Sequence, residues 1–240
     1  MKLILCAYHY VGYNILRNLN IDEFDELYVY THDITEKHIP DVKSIANSLG
    51  IGYTTDKIKK DNLPFKPDII SSLYYRYIID KDIIDICNGR IFNAHPSLLP
   101  KHRGCSSIPW AIINNDKETG ITYHYIDSGI DTGNIILQIK YPISRFDTQE
   151  TLFMKAADLF IKNWNFAFEM VKSNVSGIPQ GPGGSYHKRG CPYDGQIDPK
   201  WPLDKIERFI RAMIYPPYPP AKYKDKEIYS INDYLKLRKK

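Results

Sequence analysis

Between residues 3 and 93, four short apolar runs alternate with segments of helical period, and this alternation does most to limit the folds open to the chain. Leu3 to Tyr8, Glu26 to Tyr30, Asp68 to Leu73 and Arg90 to Asn93 read as strands. Val11 to Leu19 carries Ile15, Leu16 and Leu19 on one helical face. Asp41 to Leu49 carries Val42, Ile45, Ala46 and Leu49, with Gly50 as its stop, and Asp80 to Cys87 reads as a short helix. Strands that alternate with helices predict a Rossmann-like α/β fold, a mostly parallel twisted sheet with crossover helices on its faces. The first strand-to-helix turn, His9-Tyr-Val-Gly12, lacks the Gly-x-Gly-x-x-Gly fingerprint, so a doubly wound sheet is expected without dinucleotide binding.

After residue 118 the pattern changes. Gly120 to Ile126 alternates and reads as a strand, and Asn134 to Lys140 reads as another. The turn residues from Asp127 to Gly133 connect them, which suggests antiparallel pairing. A long helix follows, with Asp147 as its cap, Glu150 three positions on, and a stripe of Leu152, Ala156, Leu159, Phe160, Ala167 and Val171. Ser173 to Gly184 is rich in Gly, Pro, Ser and Asn. It divides the chain into a catalytic core, residues 1–180, and a small C-terminal α+β subdomain, residues 181–240. Gly181-Pro-Gly-Gly184 lacks the Lys-Ser/Thr of a phosphate loop and reads as a turn.

The net charge of +4 comes partly from a basic tail, Lys236 to Lys240, which reads as frayed, and it argues weakly for a nucleic-acid partner. None of the four cysteines forms a Cys-x-x-Cys pair. No metal site is expected, and reduced, mostly buried thiols fit a cytoplasmic protein. No apolar run approaches the ~20 residues needed to span a bilayer.

The residues with most chemistry lie in Asn93-Ala-His95-Pro-Ser97-Leu-Leu-Pro100, with Arg103-Gly104 just beyond, and in Asp127-Ser-Gly-Ile-Asp131-Thr-Gly133. Asn93 and His95 are two apart, so on a strand they point to one side. Pro96 then stops the strand, because proline cannot donate to a ladder. Both side chains would sit where a strand meets a loop, the usual ligand position in an open α/β sheet.

This constellation resembles the formyltransferase family that uses N10-formyltetrahydrofolate. Ser72-Leu-Tyr-Tyr-Arg-Tyr-Ile-Ile79 is similar to the folate-site segment of its members. Ile206-Glu-Arg-Phe-Ile-Arg211-Ala212 with Pro216-Pro-Tyr-Pro-Pro220 resembles the tail of those that formylate methionyl-tRNA or nucleotide-linked amino sugars. The resemblance covers roughly residues 2–225 and implies a division of labour. Asn93 would donate to the oxyanion formed on the formyl carbonyl. His95 would serve as general base, and Asp131 would pair with His95 and assist proton transfer. The backbone of Tyr75, Arg76, Tyr77 and Ile78 would hold the pterin of the donor.

Candidate contacts to the acceptor are His9, Ser97, Lys101, Arg103, Tyr215 and Tyr218, with Thr31 and His32 at the same sheet edge. Lys101, His102 and Arg103 read either as a diphosphate site or as a solvated basic loop. Ser97 reads as a substrate contact or a cap of its turn, and the tail tyrosines as base-stacking or packing rings.

Members acting on glycinamide ribonucleotide generally stop soon after the long helix, and members acting on tRNA carry a much larger second domain. The short tail, Thr31-His32 and Tyr74-Tyr75-Arg76 resemble the amino-sugar members best. The acceptor expected by resemblance is therefore a nucleotide-linked amino deoxysugar, first of all dTDP-4-amino-4,6-dideoxyglucose, in the service of O-antigen or related surface polysaccharides. Formylation of methionyl-tRNA or glycinamide ribonucleotide, and a non-catalytic folate- or nucleotide-sugar-binding protein, stay open as alternatives. By analogy with similar small enzymes, the aromatic tail offers a homodimer interface.

Overall fold

A computed structural model describes residues 1–34, 36 and 38–239. Its elements follow in chain order as β1 (Lys2–Ala7), α1 (His9–Asn18), β2 (Glu26–Tyr30), α2 (Val42–Ser48), β3 (Gly52–Thr54), β4 (Ile69–Leu73), α3 (Lys81–Ile86), β5 (Ile91–His95), β6 (Arg103–Gly104), α4 (Ser107–Ile113), β7 (Glu118–Tyr125), β8 (Ile135–Pro142), α5 (Gln149–Lys172), β9 (Tyr186–His187), α6 (Leu203–Ala212), β10 (Ala221–Tyr223), β11 (Lys226–Ile228) and α7 (Ile231–Arg238).

Seven strands form one sheet in the order β3-β2-β1-β4-β5-β7-β8. The first five run parallel, and β5 then pairs antiparallel with β7, setting Asn93 opposite His124 and His95 opposite Thr122. β7 and β8 also run antiparallel: Tyr125 N–H donates to Asn134 O and Ile143 N–H to Lys117 O, so the numbering of one strand falls as that of its partner rises. This is the expected α/β architecture, with the long helix and the change of strand direction where the sequence puts them.

The chain folds as two compact units. Residues 1–95, 121–138 and 157–181 make the first; residues 96–120, 139–156 and 182–240 make the second. The chain enters the second unit for the last time at 181/182, where the sequence reading divides it at 180/181, and that unit also takes in the two earlier segments.

In the first unit both faces of the sheet are covered. Every residue of β4 is buried, Ser71 and Ser72 included, as are Leu3 to Ala7 of β1, which is why Leu3 to Ala7 reads as a continuous apolar run. Ile4, Cys6, Tyr30, Ile70 and Ile91 build one face with Ile58, Ile79 and Ile83. Cys6 and Cys87 belong to this cluster, and burial raises both thiols, Cys87 to about 12, so they are inert packing groups. Tyr123 Oη donates to Phe160 O at 2.6 Å, and Trp164 Nε1 donates to Ser71 Oγ at 3.0 Å, tying α5 to the sheet.

In the second unit, α4 packs on α6, and β10 and β11 form a hairpin beneath α7. Two expectations are corrected. Thr148, not Asp147, caps α5: its Oγ1 accepts from Thr151 N–H, and Thr151 Oγ1 accepts from Thr148 N–H. Asp147 instead gathers Ser144 N–H at 2.7 Å, Thr151 Oγ1 at 3.0 Å and Lys155 Nζ at 2.7 Å. Burial pushes its carboxyl up, and these donors outweigh that and hold it below its usual range. The basic tail is not frayed through Arg238 but forms α7, capped by Ser230, whose Oγ accepts from Asp233 N–H; Lys240 lies outside the described residues. Within Ser173 to Gly184, read from sequence as the boundary, Ile178 exchanges both backbone hydrogen bonds with Ile135 at 2.8 Å.

Candidate active site

β5 ends where its sequence says it should, and Asn93 and His95 project from one side of it. His95 is 4% exposed. Its Nδ1 lies 3.4 Å from Asp131 Oδ2, an ion-pair separation somewhat longer than a direct hydrogen bond. The three residues singled out by sequence therefore stand together in the first unit.

A fourth residue joins them. His124, on β7 directly opposite Asn93, is almost fully buried. Its Nδ1 lies 2.7 Å from Tyr125 O, so Nδ1 carries a proton and donates it to that carbonyl. Its Nε2 is 3.2 Å from Asn93 Nδ2 and 3.4 Å from Asp131 Oδ1. One ring nitrogen cannot serve both: without a proton it accepts from the Asn93 amide, and with one it donates to Asp131. The Asn93 contact is the shorter and falls within hydrogen-bond range, so Nε2 is assigned as the acceptor of that amide. In that state one N–H of Asn93 is held by His124 and the amide plane is fixed. His124 escaped the sequence reading because it lies in an ordinary strand pattern; only the register of β7 against β5 brings it to Asn93.

The loop that carries Asp131 explains its own sequence. Asp131 has φ +53°, a left-handed conformation that Asp tolerates better than most residues. Asp127 Oδ1 accepts from Gly129 N–H at 3.0 Å and Thr132 Oγ1 at 2.6 Å, closing the first half of the turn. Gln180 Nε2 donates to Asp131 O and Gly133 O, both at 2.8 Å. A Cβ at Gly133 would sit 2.0 Å from Tyr125 O. Gly133→Ala should therefore displace the loop and lower kcat about tenfold or more, with a loss of stability of about 1–3 kcal/mol. Thermal melts and steady-state rates on one preparation check it, and an unchanged rate would dissociate the turn from the carboxylate. Gln180, in the stretch read as the boundary, is a second supporting residue the sequence reading missed.

The segment expected to hold the donor leaves β4 at Tyr74, with φ +60°. Tyr75 is bound into the first unit: its Oη accepts from Ile58 N–H at 3.0 Å. Arg76 N–H is taken by His32 Nε2 at 2.9 Å. Tyr77 and Ile78 are 43% and 70% exposed, an open apolar edge against which a flat ring could lie. His9 begins α1 with φ +62° and stacks on Tyr74 at 6.1 Å.

Burial, with His38 adding to it and Glu36 opposing, lowers His9 to about 4. The unfolded chain protonates this histidine near pH 6.5, and the folded one does not until about pH 4. Stability is thus whole above pH 6.5 and falls as the pH drops toward 4, by at most about 3 kcal/mol. His9→Gln should flatten this part of the stability profile, and chemical denaturation at pH 7 and pH 4.5 would detect the difference.

The remaining sequence candidates lie in the second unit. Ser97 is fully buried and its Oγ donates to Lys101 O at 2.6 Å, so it closes the turn, as one of its two readings had it. Lys101 is exposed, and Arg103 is half-buried. His102, in contrast, is buried between Asp116 Oδ2 at 2.8 Å and His187 Nε2 at 3.0 Å, and His187 stacks on Trp110 at 4.6 Å. Arg103 N–H donates to Ser185 O and Cys105 N–H to His187 O, so β6 and β9 form a small parallel ladder. A Cβ at Gly104 would sit 2.2 Å from His187 O, which accounts for the glycine. Tyr215 packs on Phe153 at 5.2 Å. Tyr218 lines a cavity of about 330 Å³ with Ser106, Cys191, Asp194, Met213 and Lys222. Among the described residues no cluster of His, Cys, Asp or Glu could hold a metal ion, and no helix is long and apolar enough to cross a membrane.

The chain is similar to known proteins in sequence and fold. The Formyl transferase family model matches residues 35–162. GDP-perosamine N-formyltransferase of Brucella melitensis biotype 1 is 34% identical over 215 residues, covering 87% of this chain and 83% of that protein. The N-formyltransferase of Helicobacter canadensis, solved in complex with folinic acid and dTDP-3-aminofucose, superposes with a TM-score of 0.78 at 26% identity, covering 96% of this chain and 87% of that one. WlaRD, a sugar 3N-formyltransferase solved with dTDP and 5-N-formyl-THF, shares the fold at a TM-score of 0.81 and 24% identity, covering 96% and 85%. With its amide, imidazole and carboxylate gathered at the end of β5, the chain belongs to the formyl transferase family.

Proposed function

We propose that this enzyme transfers the formyl group of N10-formyltetrahydrofolate to the amine of a nucleotide-linked amino deoxysugar. The observation that carries the chemistry is the convergence of Asn93, His95, His124 and Asp131 within 3.4 Å contacts around the end of β5. The acceptor class is supported by the 34% identity to a GDP-perosamine N-formyltransferase over most of both chains.

The folate supplies the formyl carbonyl. Asn93 donates an N–H to its oxygen as negative charge builds there, an effect worth about 3–4 kcal/mol in comparable sites. His95, with Nδ1 turned to Asp131, exchanges protons through Nε2 with the attacking amine. Asp131 keeps the ring oriented and stabilises its charged form. The new bond forms between the acceptor nitrogen and the formyl carbon, the bond from that carbon to N10 of the folate breaks, and the proton lost by the amine is taken up by N10, so the exchange balances without an oxidant.

The test is mass spectrometry of amines incubated with the protein and N10-formyltetrahydrofolate. The first acceptor is dTDP-4-amino-4,6-dideoxyglucose, followed by GDP-perosamine, dTDP-3-aminofucose, glycinamide ribonucleotide and methionyl-tRNA. A mass gain of one formyl group on a nucleotide sugar supports the reading and identifies the base and the amine. Formylation of only methionyl-tRNA or glycinamide ribonucleotide would overturn the acceptor class and keep the chemistry. We further propose that the product feeds O-antigen or a related surface polysaccharide and that the protein works in the cytoplasm as a homodimer, with the oligomer open to light scattering.

A further inference from the structure

The Tyr75–Ile78 segment is held by a residue that the reaction does not otherwise use. His32 follows β2 and is 7% exposed. Its Nε2 accepts the backbone N–H of Arg76 at 2.9 Å. Its ring is wedged among Tyr8, Tyr75 and Tyr77, with centroids at 5.0, 4.8 and 4.8 Å. The end of β2 is itself fixed, because Thr31 N–H donates to Thr54 O at 2.9 Å. Arg76 lies over the Tyr8 ring at 5.7 Å, so the segment is gripped through backbone and side chain together.

We propose that His32 is a positioning residue for the formyl donor: its ring nitrogen and ring faces lock the backbone of Tyr75–Ile78 in the shape against which the folate ring system lies. This rests on the reading of that segment as the donor site. Two properties are needed at position 32, an acceptor at the reach of Nε2 and a flat ring between two tyrosines, and histidine supplies both. Removing the acceptor would leave Arg76 N–H to reorganise the loop. β4, paired on both sides by β1 and β5, would stay in place. The inference also narrows the donor contacts, since Arg76 N–H is already engaged.

The full chain is tested with His32→Phe, which keeps a ring and loses the acceptor, and His32→Gln, whose Oε1 can reach the position of Nε2. His32→Phe should raise KM for N10-formyltetrahydrofolate and Kd for folinic acid about ten- to a hundredfold, with the acceptor KM and kcat at saturating donor within about threefold. His32→Gln should recover most of that loss. Parent donor KM in a folded His32→Phe protein would overturn the proposal, as would an equal rise in both KM values, which marks general loosening. Should the phenylalanine variant not fold, His32→Asn, whose carbonyl falls short of Arg76 N–H, carries the same comparison. Ile78→Glu separates the two levels of the argument. If it weakens folinic acid binding while His32→Phe does not, only the role of His32 fails. If it leaves binding unchanged, the donor site lies elsewhere and both readings fail.

Discussion

His95→Ala should lower kcat by about 10²–10⁴-fold, the range for loss of a positioned acid–base group, with the Kd for folinic acid changed by less than about threefold. The asymmetry follows from position. His95 is buried at the end of β5, with Nδ1 toward Asp131, and it lies outside the Tyr75–Ile78 segment assigned to the donor. Rapid-quench measurement of a single turnover gives the chemical step directly. A variant that forms product at the parental rate in that experiment would remove His95 from the proton path and leave the oxyanion contact as the main contribution of this site. Asp131→Asn should cost less than His95→Ala, because the imidazole would remain with a poorer partner, and it should shift the pH–rate profile rather than only scale it.

Asn93→Ala should lower kcat by about 10²–10³-fold, since it deletes the donor aimed at the developing oxyanion. His124→Phe should lose a large part of the same factor without touching substrate, because it releases the amide that His124 Nε2 holds at 3.2 Å. The discriminating measurement is the double variant. If His124 acts through Asn93, the pair together should be little worse than Asn93→Ala alone, a coupling that neighbouring residues in one network commonly show. If instead His124 works as a charged partner of Asp131, at 3.4 Å, the losses with Asn93 will multiply and the coupling will appear with Asp131→Asn. Multiplicative losses in the first cycle would therefore sink the assignment of Nε2 as the partner of the Asn93 amide.

What was legible in the sequence was what depends on short-range rules. The strands β1, β2, β4 and β5 and the long helix carry their own periodicity, and Pro96 ends β5 by its missing N–H. Asn93 and His95 share a side because strands have a period of two. What was not legible depends on which strand lies beside which. His124 meets Asn93 through an antiparallel register, and Gln180 meets Asp131 across 49 residues of chain. His32 meets Arg76 across 44 residues, and neither side chain announces the other. β6 and β9, two residues each, were invisible because two residues have no periodicity, and β3 is only three residues long. The cap of α5 was misplaced by one position because Asp147 and Thr148 are both good capping residues. The choice fell to Thr148 because the Asp147 carboxylate was already taken by Ser144, Thr151 and Lys155.

The ladder between β6 and β9 bears on how such enzymes could be recombined. Arg103 and Cys105 give their N–H groups to Ser185 and His187, His102 N–H goes to Ser185 Oγ, and Ser185 returns its own N–H to Pro100 O. Gly104 has room for nothing larger than hydrogen against His187 O. A chimera that exchanges only the C-terminal segment at the natural-looking joint near residue 181 would set a foreign β9 against a native β6, and their carbonyls and amides would have to match by chance. The heritable block is the pair, residues 100–105 with 185–187. Libraries that shuffle tails should cut so that both halves travel together.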